Sequence, residues 1–182
     1  MRLIATILFT GLICFSSPVS AAEFRLFSND IKEGQQIGEA QVLNTFGCSG
    51  QNISPQLAWE GAPAGTKSFV ITMYDPDAPT GSGWWHWVVV DIPASAKELP
   101  RGSGSGKAEL PKGARETRTD FGKPGYGGPC PPPGNPHHYV FTIHALKVDK
   151  LEVDKDASAA MVGFMTNSNS LGKATFTATY KR

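Results

Sequence analysis

Concentrated charge is what this chain lacks first. Its 182 residues carry 17 Lys and Arg against 16 Asp and Glu, and no run of one sign stands out. That balance argues against nucleic acid or an anionic membrane surface as the main partner. Long apolar runs are also missing. The one apolar stretch, Leu3 to Phe15, falls short of the roughly 20 residues that span a bilayer, so stable membrane insertion is not expected. Three cysteines show no C-x-x-C spacing and four histidines no H-x-x-x-H spacing, so neither a metal nor another cofactor is expected. No G-x-S-x-G is present, which removes the usual mark of a serine hydrolase. Internal repeats and a second compositional region are absent as well, leaving one domain.

Residues 1–21 read as a leader outside that domain. Arg2 is the only charge before a 13-residue apolar run, and Val19-Ser20-Ala21 suits a cleavage site near Ala21/Ala22. Ile13 is bulkier than a lipid-attachment site before Cys14 would accept. Export is the expectation. Residues 22–182 then hold equal numbers of each charge and two cysteines, Cys48 and Cys130. In an oxidising compartment these two would pair. A loop of about 82 residues stabilises by about 4.5 kcal/mol in the chain-entropy model. Two separate buried thiols are the alternative.

Alternating and β-prone segments predict strands at 22–28, 39–46, 56–59, 67–74, 84–92, 137–148 and 173–180. Lys67 to Tyr74 is nearly continuously apolar, the pattern of a strand covered on both faces. Residues 93–113 are Gly/Ser-rich, a length that in a compact domain points to a functional or mobile loop. One helix is predicted from Asp156, its cap, to about Ser170, with Ala160, Met161, Phe164 and Met165 as its apolar stripe and Gly172 as its stop. Seven or eight strands with one late helix predict a mainly β domain, an antiparallel β-sandwich with Greek-key connections.

The chemistry centres on Tyr74 to Asp91, Y-D-P-D-A-P-T-G-S-G-W-W-H-W-V-V-V-D. If Asp75 to Asp77 is extended, both carboxylates face one side, and His86 can return toward them on the next strand. In H-H-Y at 137–139, His137 and Tyr139 share a side and His138 takes the other. A pocket of Asp75, Asp77, His86, His137 and Tyr139 is therefore expected, with Pro131 and Pro132 as a wall. Trp84, Trp85 and Trp87 are expected in the core and the pocket wall, and His144 in a structural role. Asp and His could serve as general acid and base, yet no nucleophile accompanies them, so no catalytic residue is assigned.

D-P-D-A-P, then G-x-W-W-H-W, then G-P-C-P-P-P-G-N-P-H-H-Y strongly resemble the phosphatidylethanolamine-binding protein family, which includes Raf kinase inhibitor-like members; N-I-S-P-Q-L-A-W at 52–59 resembles its bacterial branch. The leader and the Cys48/Cys130 pair look like the exported, periplasmic members. The resemblance implies a large and a small antiparallel sheet, a C-terminal helix, and a small pocket for phosphate-like anions or phospholipid head groups. By motif, Asp75 and Asp77 match its D-P-D, His86 the Trp/His strand, Pro131 and Pro132 the proline pair, and His137 and Tyr139 the H-x-Y element. Animal members differ in having His where Trp85 stands and Arg where His138 stands, and kinase inhibition does not carry over. The expectation is a non-enzymatic binding protein for such small ligands. A protein–protein inhibitor acting through the pocket rim and the long loop at 93–128 is the alternative, and a weak hydrolase the minor one. An exposed edge strand leaves a homodimer open.

Overall fold

The computed structural model describes residues 22–182, so the leader assigned to 1–21 lies outside the described residues. Eight strands and one α-helix form two antiparallel sheets. The small sheet has the order β1 (Arg25–Phe27), β2 (Leu57–Glu60), β5 (Glu98–Leu99). The large sheet has the order β6 (Arg115–Glu116), β4 (Trp84–Pro93), β3 (Ser68–Asp75), β7 (His137–Leu146), β8 (Ser170–Tyr180). Within the large sheet β7 returns to lie beside β3, on the side away from β4 and β6. That is the Greek-key order, and the mainly β reading holds.

The central strands are apolar on both faces because both faces are covered. Phe69, Ile71 and Met73 of β3 point into the core shared with the small sheet, beside Trp59, Trp87, Phe141 and Ile143. Val70, Val88 and Val90 point the other way, into a second cluster with Leu146, Leu151 and Val162 under helix α1 (Ala159–Asn169). Phe141 and Phe176 stack across β7 and β8, ring centres 4.8 Å apart.

Three expectations need correction. Residues 39–46 form turns, not a strand. Val42 and Leu43 are buried, but their backbone groups bond outside any ladder: Leu43 N–H donates to Pro129 O (3.1 Å) and Val42 O accepts from Asn52 N–H (2.8 Å). The helix is capped by Ser158, whose side chain accepts from Met161 N–H (3.2 Å), while the Asp156 carboxylate pairs with Lys155. Its inner face is Ala159, Val162 and Thr166, leaving Met161 and Phe164 52% and 67% exposed. A-A-M-V-G-F-M is apolar all round, so its periodicity cannot say which side faces in. The 93–113 segment is pinned down. It contributes β5 and a 3-10 turn at Ser103–Ser105, Gly102 N–H donates to Ser54 O (2.8 Å), and a Cβ at Gly104 would stand 2.4 Å from the Trp87 ring. Cys48 and Cys130 are joined, closing an 82-residue separation. Among the described residues, no helix is long and apolar enough to cross a membrane.

Candidate functional site

Asp75 ends β3 just before Pro76, and its carboxylate is only 3% exposed. One oxygen, Oδ1, accepts from Asp77 N–H (2.8 Å), an Asx turn that swings the chain out of the strand. The other, Oδ2, meets His137 Nδ1 at 2.8 Å. Because a carboxylate only accepts, His137 Nδ1 carries the proton and Nε2 stays available to the cavity. Tyr139 follows two residues later on the same face of β7, fully buried. Its hydroxyl lies close to the Asp75 carboxylate but makes no hydrogen bond of good geometry. Burial, with the nearby Asp75 charge, pushes the phenol pKa well above its usual value.

His86 sits on β4 opposite these groups. Its Nδ1 donates to Gly127 O (2.7 Å), so the Nε2 lone pair is the free one. Burial lowers the His86 pKa to about 4, against opposing pulls from Gly127 O and the Asp75 charge. The imidazole is therefore neutral at neutral pH. Its ring lies edge-on to Tyr139 (5.2 Å) and Phe121 (5.5 Å).

These side chains form the polar floor of a cavity of about 170 Å³. Its walls are apolar: Leu43, Phe46, Ala78, Pro79, Trp84, Phe121, Pro131 and Pro132, with Cys130 of the disulfide among them. Asn52, at φ 51°, holds the wall in register by donating to Tyr126 O (3.2 Å) and accepting from Gly128 N–H (2.8 Å). A side chain at Gly128 would meet Gln41 O at 2.0 Å, so only glycine lets this loop close on residues 41–43.

Six of the expected residues, Asp75, His86, Pro131, Pro132, His137 and Tyr139, line this one cavity. Asp77 does not. The Asx turn sends its carboxylate to an adjoining depression with Pro133 and Asn135, where it accepts from His138 N–H and meets His138 Nδ1, both at 2.7 Å. Burial pushes the Asp77 pKa up, but the bonds from the His138 backbone and ring outweigh it and the net shift is down. His138 is exposed and His144 lies far along β7, against Ser170. Trp87 is core, Trp84 is pocket wall, and Trp85 packs on Tyr74 (4.4 Å). Sequence reasoning missed Phe46, Phe121 and Asn52. No group of three or more His, Cys, Asp or Glu placed to hold a metal ion occurs among the described residues.

A family model described as phosphatidylethanolamine-binding protein matches residues 27–181. Among curated proteins, the UPF0098 protein YbhB of Escherichia coli K12 is 55% identical over 156 residues, 86% of this chain and 99% of YbhB. The UPF0098 protein YbcL of the same organism is 50% identical over 181 residues, 98% of this chain and 97% of YbcL. The crystal structure of E. coli YbcL, titled a new member of the mammalian PEBP family, superposes with a TM-score of 0.85 at 52% identity, covering 88% of this chain and 99% of that one. The motifs, the two-sheet architecture and these matches agree: the chain belongs to the phosphatidylethanolamine-binding protein family.

Proposed function

We propose that the cavity is a binding site, without turnover, for small phosphate-like anions, free or as the head group of a phospholipid, and that the protein works in the periplasm. The observation that carries the reading is the Tyr139 hydroxyl. It is a buried donor close to the Asp75 carboxylate but without a well-formed hydrogen bond, beside two imidazoles whose Nε2 atoms are uncommitted. A buried unsatisfied group costs about 1–3 kcal/mol, and a ligand oxygen would remove that cost.

The hydroxyls lining the cavity are Thr80 and Tyr139, and the Cys130 sulfur is in the disulfide. Thr80 Oγ1 is already bonded to Gly83 O, and the Tyr139 phenol is held protonated. No lining group is set up as a nucleophile, which favours binding over catalysis.

Asp75 would repel an anion if its charge stood alone. Its pairing with His137 reduces that repulsion, and a proton taken up on an Nε2 atom would turn an acceptor into a charged donor. The sign follows. Free His86 protonates only near pH 4, and a bound anion raises that value. Affinity should therefore climb as pH falls from 8 to 5, with protons taken up on binding. Calorimetric titration with inorganic phosphate across this range, in buffers of different ionisation enthalpy, measures both. A flat profile without proton uptake would overturn the reading.

For export, the support is the leader-like start, the disulfide, and a relative, YbcL, aligned over 98% of this chain, hence over most of residues 1–21. Intact mass of the protein recovered from the periplasmic fraction, beginning at Ala22, is the expected result.

A further inference from the structure

We infer that Phe46 is a specificity-determining residue, selecting phosphate monoesters that carry an apolar substituent over free phosphate. The inference rests on the anion-pocket reading and adds to it what surrounds the anion.

Phe46 stands at the mouth of the cavity, 69% exposed, yet it is held in place. Its φ of 55° is left-handed, a conformation that costs a bulky L-residue about 1–2 kcal/mol. Three constraints keep it there. The ring stacks on Phe121, centroids 6.0 Å apart and planes 18° from parallel. Its carbonyl accepts from Arg182 Nη1 (3.1 Å). Two residues on, Cys48 is bonded to Cys130, whose sulfur also lies 3.6 Å from Phe46 O. Arg182 Nη1 also lies 3.9 and 3.8 Å from the two sulfurs, so guanidinium and disulfide act on one short loop.

A strained, clamped and largely exposed phenyl is not there to fill the core. Strain of this kind concentrates where the chain meets a ligand. Beside Phe46, the mouth is formed by Trp84, Phe121 and Pro132, with Pro131 buried in the wall, and the Trp84 indole N–H is the single hydrogen-bonding group among these five side chains. A nucleobase or sugar leaving the cavity would find only the Trp84 indole N–H and the Thr80 hydroxyl for its polar edge. A hydrocarbon would cover Phe46 and be covered by it. The polar floor and apolar rim together therefore fit a monoester with its phosphate inward and its carbon chain outward.

The test is calorimetry on the purified protein at pH 6, with inorganic phosphate and n-hexyl phosphate as probes. The expected preference for the hexyl ester is about tenfold or more. Phe46→Gly, which suits a positive φ and should fold at least as well, should cut the ratio of the two affinities to about twofold or less. Arg182→Ala should reduce the preference in the same sense, since it acts by positioning Phe46. Equal binding of the two probes by the unmodified protein, or an unchanged preference in Phe46→Gly, overturns this inference and leaves the pocket reading intact. Binding of neither probe overturns both. Co-sedimentation with phosphatidic acid vesicles that is lost in Phe46→Gly identifies a lipid as the source of the monoester. Hexyl phosphate binding without co-sedimentation identifies a soluble one.

Discussion

At the scale of single residues, Tyr139 separates binding from stability. Its hydroxyl is buried beside the Asp75 carboxylate without a well-formed hydrogen bond, so Tyr139→Phe removes a group that costs the unliganded fold. The melting temperature should stay level or rise, while phosphate affinity falls about tenfold or more for the lost bond to a charged group. Thermal melts and titrations on the same preparation check both. The residues whose placement could be read beforehand are those governed by strand alternation. His137 and Tyr139 had to share a face once β7 was recognised. Asp77 could not be read that way. D-P-D is compatible with an extended strand or with a side chain folding back on its own backbone, and the choice rests on the Asp75–Asp77 bond. Phe46 and Phe121 meet from distant positions in the chain. The local hint in each case is only a glycine following at a turn, Gly47 and Gly122.

At the scale of elements, α1 shows why composition and packing are different kinds of information. Its two apolar faces are alike in sequence, and the cap at Ser158 together with the connection to β8 decides which one is buried. Val162→Ala should cost about 1–3 kcal/mol, a cavity under the large sheet, because Val162 is fully buried. Phe164→Ser should change stability by no more than about 0.5 kcal/mol, since most of that ring faces water. Chemical denaturation of the two variants would reverse the order implied by side-chain size. The long strands were legible because their patterns are maintained over eight or more residues. Residues 39–46 were not: their apolar pair, Val42-Leu43, is buried by a coil whose hydrogen bonds run to Pro129 and Asn52, partners that no local pattern announces.

At the scale of the whole molecule, the two-sheet design sets where binding can occur. The cavity lies where β3 ends, β4 and β7 begin, and the turn at 127–132 crosses them, so its walls come from distant parts of the chain. The Cys48–Cys130 bond ties two of those parts together. Replacing both cysteines by serine should lower stability by about 2–4 kcal/mol, read as a lower denaturation midpoint, and should loosen the Phe46 rim before the strands. The family motifs made this architecture readable at a distance, although they said nothing of which wall the bond would join.

That same bond has a mechanical meaning. Pulled by its two ends, the oxidised chain can extend only outside the bridge, because the 82-residue span between the sulfurs bears no load. Roughly 28 nm of contour would stay hidden until a reductant released it. A single-molecule tether of this protein would thus register the redox state of its surroundings as a step in length.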